Sequence, residues 1–129
     1  GIHLNPPTKF ATARFGNVIE TRGIVFEIWN EEKKGNKQLS ITDPEMKRYF
    51  FHIEDATEFI LNCLPKINNG EIFIPKMKLE KIGKLADSIS KKQKIIGIRK
   101  GEKIQEELMT KAERKKAIET KEMWVIKQE

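Results

Sequence analysis

The chain has 129 residues, of which 38% are hydrophobic and 34% charged, and its 25 basic and 19 acidic side chains give a net charge of +6. This length suits one ordinary domain, and no apolar run approaches the roughly 20 residues that a membrane-spanning helix needs. Because the first residues also lack the basic and apolar regions of a secretory signal, we expect a cytoplasmic protein with no membrane partner.

The positive charge raises the question of a nucleic-acid partner. Lysines alternate with glutamates, as in Lys-Leu-Glu-Lys at 78–81, which is typical of solvated helix faces. No aromatic-rich strand for stacking bases accompanies them, so no nucleic-acid partner is expected. A positive field would instead favour an anionic nucleotide ligand. The single cysteine, Cys63, excludes an internal disulfide and lies in an apolar run that predicts a buried side chain.

In the first half of the chain, hydrophobic periodicity and turn signals predict short strands alternating with helices. They indicate, in order, a strand from 9 to about 16, a turn at 21–23, a helix from 24 that stops at 33–36, a strand over 38–42, a turn at 43–44, an extended segment at 48–51 and a helix from 53. One face of this last helix is predicted to be apolar: Ile53, Ala56, Phe59, Ile60, Cys63 and Leu64.

In the second half, the same signals predict a strand over 71–74 closed by Pro75, a helix over 79–90, a strand over 94–98, a helical segment near 111–118 and a strand over 123–126. This alternation indicates an α/β architecture. Because the chain enters almost directly on a strand, we expect residues 1–129 to be one domain or fragment of a larger α/β protein. The strands near 10–15 and 71–74 are predicted to pair in parallel with an exposed edge, which would favour self-association.

Residues 95–108 carry the strongest local signal for a ligand. An apolar run ends at Arg99, a turn centred on Gly101 follows, and a charged amphipathic segment begins after Glu102. A guanidinium matches phosphate oxygens and a carboxylate accepts hydrogen bonds from sugar hydroxyls, so the pair suits a phosphorylated, hydroxyl-bearing ligand. A surface hairpin with an incidental ion pair explains the same spacing.

Motifs for catalysis and cofactor binding are missing from the sequence. It has no Gly-x-Gly-x-x-Gly turn and no Gly-x-x-x-x-Gly-Lys phosphate loop. His3 and His52 lack metal-ligand spacing, and the only tyrosine, Tyr49, is not followed by a lysine four residues later. We therefore expect no catalytic residue, no metal site and no cofactor site in this chain alone.

Four stretches, in order and approximate spacing, resemble one enzyme family. They are Ala-Arg-Phe-Gly-Asn-Val-Ile-Glu-Thr-Arg-Gly (13–23), Thr-Asp-Pro-Glu-Met-Lys-Arg-Tyr-Phe (42–50), Gly-Glu-Ile-Phe-Ile-Pro-Lys-Met (70–77) and Gly-Ile-Arg-Lys-Gly-Glu-Lys-Ile-Gln-Glu-Glu-Leu (97–108). From about Lys9 to Ile126 the chain is similar to the C-terminal part of UDP-N-acetylglucosamine 4,6-dehydratases. These are extended short-chain dehydrogenase/reductases of capsule, O-antigen and flagellin-glycan pathways. Lys100 and Gln105 depart from the family, which often has proline and histidine there, and Lys100 leaves the turn less rigid.

The resemblance implies a fold, a cofactor and partners. The fold would be the C-terminal portion of a Rossmann-type α/β fold, with its last parallel strands and a small substrate lobe. The N-terminal half, which binds NAD or NADP in the family, is absent from this sequence. The expected partners are a UDP-sugar and that missing half, or a split subunit carrying it. In the family, the cofactor removes a hydride from C4 of the hexose, water leaves across C5 and C6, and the hydride returns to C6.

The resemblance also implies roles for five residues. Asn17 would hydrogen-bond the substrate near its diphosphate or sugar. Arg48 and Arg99 would pair with the diphosphate. Glu102 would accept hydrogen bonds from the ribose hydroxyls, and Arg22 would lie near the pocket. Each has a structural alternative, such as a turn former for Asn17, an ion pair at a helix entry for Arg48 and a surface position for Arg22. A related 4-epimerase, or a stand-alone non-catalytic binding or scaffold module, would account for the same lobe.

Overall fold

The computed structural model describes residues 7–19 and 24–128, which form nine strands, four α-helices and one short 3₁₀ helix at Leu64–Lys66. In chain order these are β1 (Thr12–Ala13), β2 (Asn17–Ile19), α1 (Ile24–Lys34), β3 (Leu39–Ile41), β4 (Lys47–His52), α2 (Ile53–Cys63), β5 (Ile72–Pro75), β6 (Lys78–Lys81), α3 (Ile82–Ile89), β7 (Gln93–Ile95), α4 (Lys111–Lys116), β8 (Ile118–Glu119) and β9 (Met123–Ile126). The turn expected at 21–23 lies outside the described residues. Among the helices of the described ranges, none has the length and apolar character to cross a bilayer.

The chain divides into two compact units. The first consists of the described residues up to Phe15, Thr57–Lys76 and the residues from Leu108 onward. The second consists of Gly16–Ala56 and Met77–Glu107.

The first unit contains a four-stranded sheet in the order β1-β5-β9-β8. Strands β1 and β5 are parallel, with Thr12 opposite Ile72, whereas β9 is antiparallel to both β5 and β8. This confirms the predicted parallel pairing of the strands near 10–15 and 71–74. In the described sheet, β1 is an edge strand.

The buried side chains of the first unit come mainly from α2, β5 and β9. They include Phe59, Cys63, Phe73, Ile74, Met123 and Ile126. The predicted burial of Cys63 is confirmed, and burial raises the pKa of its thiol. The predicted apolar face is wrong in part, because Ile53 and Ile60 of α2 are 41% and 45% exposed and Leu64, just after α2, is 57% exposed. Phe59 and Cys63 are four residues apart and share a helix face, whereas Ile60 is rotated roughly 100° from Phe59.

Glu71 closes the turn before β5. Its buried carboxylate accepts hydrogen bonds from the backbone N–H groups of Asn68 and Asn69, at 2.5 and 2.6 Å. Burial alone would raise the pKa of the Glu71 carboxyl, but these two hydrogen bonds and Lys127 bring it below its usual value. One acidic residue of the 70–77 motif therefore has a structural role.

The second unit contains a three-stranded sheet, β2-β4-β6, and a two-stranded parallel sheet, β3-β7. Its hydrophobic core is formed by one cluster of buried side chains: Trp29, Leu39, Ile41, Met46, Ile82 and Ala86. Trp29, on α1, also donates a hydrogen bond from its indole nitrogen to the carbonyl of Ser40 at 2.9 Å. These contacts fix α1 and α3 against β3.

The strand predicted from 9 to about 16 is reduced to β1, and a second strand, β2, follows beyond its predicted end. Strand β1 pairs in parallel with β5, and β2 pairs in parallel with β4, so the chain changes sheets between Ala13 and Asn17. Alternation of apolar residues indicates an extended backbone but carries no information about which strand will be its partner.

The predicted helix over 79–90 begins later, at Ile82. Leu79 lies in β6, where it stands opposite Tyr49 of β4 in antiparallel register. The N–H groups of Ile82 and Gly83 donate to the carbonyls of Met46 and Pro44, at 2.8 and 2.9 Å, and these bonds satisfy the first two N–H groups of the helix. Leu79 has the spacing of the helix residues, but its backbone pairs with β4 and therefore belongs to a strand.

The segment after β7 also differs from the prediction. The strand ends at Ile95, and Gly97, with φ of +88°, ends the extended run that was predicted to continue to Ile98. The charged segment after Glu102 is not helical. Residues 104–106 run alongside β4, because the N–H of Lys47 donates to Ile104 at 2.7 Å and the N–H of Glu106 donates to the carbonyl of Lys47 at 3.3 Å.

Candidate functional site

The second unit contains a cavity of about 240 Å³ that three of the sequence-predicted site residues line together. These are Asn17, Arg48 and Glu102. The other lining residues are Trp29, Ser40, Ile41, Thr42, Met46, Phe50 and Ile82. Half of the ten lining residues are apolar, and the others supply one cation, one carboxylate, one carboxamide and two hydroxyls, a mixture suited to a small polar ligand.

Asn17 reaches the cavity because Gly16 allows a close approach between two strands. A Cβ atom on Gly16 would lie 2.7 Å from the Cβ of Tyr49 and 2.9 Å from its carbonyl oxygen, closer than real Cβ contacts. With glycine there, β2 pairs with β4, and the Nδ2 of Asn17 donates to the Tyr49 carbonyl at 3.1 Å. Asn17 is thus a strand residue whose side chain is held at the cavity.

Arg48 binds backbone in this structure. Its Nη1 donates to the carbonyls of Lys47 at 2.7 Å and Ile104 at 3.2 Å, and its Nη2 donates to the carbonyl of Lys103 at 2.8 Å. The guanidinium therefore fastens the segment after Glu102 to β4. Its charge remains at the cavity wall, since hydrogen bonds to carbonyls do not neutralise it.

Arg99 and Glu102 form the predicted turn. The N–H of Glu102 donates to the carbonyl of Arg99 at 3.0 Å, and Gly101 has φ of +91°. This is the pattern of a type II turn, which requires positive φ at its third position. The Glu102 carboxylate accepts the backbone N–H of Arg99 at 3.3 Å. The Arg99 and Glu102 side chains, both within the described residues, form no ion pair with each other. The alternative of a surface hairpin with an incidental ion pair is therefore wrong about that pair.

The five predicted site residues therefore have different surroundings. Asn17, Arg48 and Glu102 line the cavity, whereas Arg99 is exposed on the turn and is not among its lining residues. Arg22 lies outside the described residues. Sequence reasoning missed Glu106, whose carboxylate accepts the N–H of Tyr49 at 3.2 Å and lies 3.4 Å from the Nδ2 of Asn17. Its only sequence signal is its place in the stretch 97–108.

Neither a metal cluster nor a glycine-rich strand-to-helix turn is found among the described residues. The described ranges contain no group of three or more His, Cys, Asp or Glu side chains suited to a metal ion. Helices α2 and α3 follow β4 and β6 without an intervening loop, and the first N–H groups of α3 already bond Met46 and Pro44. Neither junction resembles a glycine-rich cradle for a diphosphate.

Two solved structures share the fold of this chain. The fold matches the structure of Pen from Bacillus thuringiensis, with a TM-score of 0.82 and 31% identity over 92% of this chain and 40% of that chain. It also matches the fold of a UDP-glucose 4-epimerase from Thermotoga maritima solved with UDP-glucose, with a TM-score of 0.61 and 18% identity over 83% of this chain and 39% of that chain. The fold is therefore that of a portion of the extended short-chain dehydrogenase/reductases, which confirms the predicted fold class.

The family follows from sequence comparison. The profile of a family described as "Polysaccharide biosynthesis protein" matches residues 2–128, and the chain belongs to this family. It is 41% identical over 105 residues to a UDP-N-acetylglucosamine 4,6-dehydratase (inverting) of Campylobacter jejuni, covering 79% of this chain and 31% of that protein. It is 34% identical over 122 residues to a UDP-glucose 4-epimerase of Rickettsia bellii, covering 90% and 36%. The chain thus spans about a third of the length of these relatives, and the family resemblance is confirmed.

Proposed function

We propose that this chain is the UDP-sugar-binding part of a nucleotide-sugar 4,6-dehydratase of polysaccharide biosynthesis, acting on UDP-N-acetylglucosamine. One observation carries the proposal. Asn17, Arg48 and Glu102 come from three separate sequence stretches and line one cavity of about 240 Å³. The identity of 41% to a UDP-N-acetylglucosamine 4,6-dehydratase supports the choice of substrate.

The proposed roles follow from the chemistry of each group. Arg99 is exposed on its turn, and its guanidinium makes no hydrogen bond or ion pair within the described residues, so we assign it the diphosphate. The Glu102 carboxylate accepts hydrogen bonds from the ribose hydroxyls. Arg48 adds positive charge at the cavity and positions the backbone after Glu102. We propose that Arg22 lies near the substrate pocket.

The rest of the active site is proposed to lie outside this chain. In a complete family enzyme, NAD or NADP would supply the hydride chemistry. The junctions before α2 and α3 contain no glycine-rich turn for the diphosphate of that cofactor. This chain would orient the substrate by holding its UDP end. The partner we propose is a Rossmann half, in the same polypeptide or as a split subunit, in the cytoplasm. The edge strand β1 would also support self-association.

A UDP-sugar 4-epimerase is the second candidate, and the identity of 34% to the Rickettsia bellii epimerase favours it. Both enzymes would use the same UDP-binding lobe. A non-catalytic binding module would also keep the cavity. Product analysis after addition of a cofactor-binding half distinguishes these three, because the dehydratase releases a 4-keto-6-deoxy sugar, the epimerase an inverted sugar and the module no product.

Binding of the nucleotide can be tested with this chain alone. We expect calorimetric titration to show that UDP-N-acetylglucosamine binds more tightly than ADP-glucose, which shares the diphosphate and a hexose. We also expect the isolated chain to bind neither NAD nor NADP and to convert no substrate. Equal affinity for the two nucleotide sugars would contradict the proposed function, and turnover by the pure chain would contradict its assignment as the substrate-binding part.

A further inference from the structure

Asn17, Tyr49 and Glu106 form a closed hydrogen-bonded ring beside the cavity. The Nδ2 of Asn17 donates to the Tyr49 carbonyl at 3.1 Å. The N–H of Tyr49 donates to the Oε2 of Glu106 at 3.2 Å, and the same Oε2 lies 3.4 Å from the Nδ2 of Asn17. Two side chains thus bind both backbone polar groups of one residue, Tyr49, just before Phe50 pairs with Asn17 in the ladder.

This ring determines which end of the Asn17 carboxamide faces the protein. Both of its neighbours, a carbonyl and a carboxylate, are hydrogen-bond acceptors, so the nitrogen must face them. The nitrogen has two hydrogens, one for each acceptor. The Oδ1 of Asn17 accepts no hydrogen bond from any described residue. Because Asn17 lines the cavity, Oδ1 is the atom that it offers to a ligand.

The charge of Glu106 favours the same choice. A phosphate bound to the Nδ2 of Asn17 would stand close to a carboxylate that is itself 3.4 Å from that nitrogen. Like charges at such separation repel, so this part of the cavity disfavours a diphosphate. A hydroxyl or an amide N–H has no such penalty and can donate to Oδ1.

We propose that Glu106 is a positioning residue that fixes the orientation of Asn17, so that Asn17 presents a hydrogen-bond acceptor to a hydroxyl or amide N–H donor of the UDP-sugar. The inference rests on the proposed function for its ligand, but the orientation itself is a property of the free chain. It assigns Asn17 to the sugar end of the substrate, either the ribose or the hexose, and away from the diphosphate.

The first test uses the ¹⁵N-labelled chain without ligand. In wild type, we expect the two Nδ2 protons of Asn17 to have well-separated resonances and slowed exchange with solvent. Glu106→Ala should bring the two resonances closer and speed exchange by roughly threefold to tenfold, the scale of one hydrogen bond. Glu107→Ala removes the same charge from the exposed neighbouring position and should change neither. The backbone spectrum shows whether each variant is folded, and Glu106→Gln, which keeps an acceptor for Tyr49, replaces any variant that is not.

The second test is a double-mutant cycle on ligand affinity. Glu106→Ala and Asn17→Ala should each weaken UDP-N-acetylglucosamine binding by roughly threefold to tenfold. The double variant should bind no more weakly than Asn17→Ala alone, because Glu106 acts through Asn17. Titration with UDP identifies the donor, since a loss seen with UDP points to the ribose and a loss seen only with UDP-N-acetylglucosamine points to the hexose.

Two results would overturn the inference. One is an unchanged Asn17 side-chain resonance pair in Glu106→Ala. The other is a full additional loss of affinity when Glu106→Ala is added to Asn17→Ala, which would show that Glu106 acts independently. If wild type binds no UDP-sugar, the proposed function fails, and the resonance test alone decides whether Glu106 orients Asn17.

Discussion

Arg14 and Glu113 form a bidentate ion pair in the first unit, with Nη1–Oε1 and Nη2–Oε2 distances of 2.9 and 3.0 Å. Arg14 follows β1 directly, and Glu113 is the third residue of α4, where it completes a capping box with Thr110. The Nη1 of Arg14 also donates to the carbonyl of Leu108 at 2.8 Å. One guanidinium therefore connects the end of the edge strand to the start of a helix 99 residues away in sequence.

This pair predicts an acid-sensitive contribution to stability. The hydrogen bonds from Arg14, followed by that from the backbone of Thr110, lower the pKa of Glu113 to about 2 from its usual 4.5. A carboxyl whose pKa is lower in the folded state stabilises that state above its unfolded pKa and loses the contribution as pH falls through the folded pKa. We expect Glu113→Gln to lower the urea midpoint at pH 7, and the difference from wild type to shrink between about pH 4.5 and 2. Glu122→Gln, at an exposed position in the same unit, is the control and should show no such pH-dependent difference.

The close approach at Gly16 predicts strong sensitivity to a single methyl group. In Gly16→Ala, the new Cβ would lie 2.7 Å from the Cβ of Tyr49, so β2 and β4 must separate. We expect a loss of about 1–3 kcal/mol in the free energy of unfolding, measured by urea denaturation. Gly35→Ala is the matched control, because its nearest new contact is an ordinary 3.6 Å to the carbonyl oxygen of Glu31. Equal stability of the two variants would contradict the strand geometry.

The turn at 99–102 predicts opposite effects at its two central positions. Lys100 occupies the position of a type II turn where proline is favoured, so Lys100→Pro should stabilise the chain by about 0.4–1 kcal/mol. Gly101 has φ of +91°, so Gly101→Ala should destabilise it by about 1 kcal/mol or more. Thermal denaturation measures both changes. A loss of stability in Lys100→Pro would show that the turn is not type II.

Nucleotide affinity tests the proposed role of Arg99. Arg99→Ala should weaken UDP binding by about 1.5–3 kcal/mol, the scale of a hydrogen bond to a charged group. Arg99→Lys should recover only part of the loss, because an ammonium lacks the bidentate fork. Lys103→Ala removes a charge from the same segment and should have a smaller effect. If Arg99→Ala and Lys103→Ala weaken binding equally, the turn contributes only general positive charge.

Glu102→Gln should weaken UDP binding less than Arg99→Ala and act through the ribose. The variant retains a side-chain oxygen but loses the charge that strengthens hydrogen bonds from hydroxyls. The ratio of wild-type to variant affinity should therefore be smaller for 2′-deoxy-UDP than for UDP in calorimetric titrations. Equal ratios for the two nucleotides would place Glu102 away from the 2′ hydroxyl.

Local sequence signals predicted the elements whose ends depend on nearby residues. The strand over 123–126 has the predicted bounds, and α1 ends within the predicted stop at 33–36. The failures occur where one pattern fits two structures. Leu79 has helical spacing with Ile82, yet it pairs with Tyr49 in β6. Ile60 is apolar and lies on a helix, yet it is 45% exposed. For Leu79 the outcome depends on Tyr49, a neighbour distant in sequence.

The sequence by itself determined the family, the α/β class and the turn that carries Arg99 and Glu102, because motif spacing and the glycine at 101 are local properties. Only the tertiary structure decided that Asn17, Arg48 and Glu102 line one cavity and that Arg48 binds the backbone at 103–104. It also placed the Glu106 carboxylate within hydrogen-bond distance of Asn17, which is 89 positions away in the sequence. The physical reason is that the register of β2 and of residues 104–106 along β4 sets these contacts, and register is a property of paired segments that neither segment encodes alone.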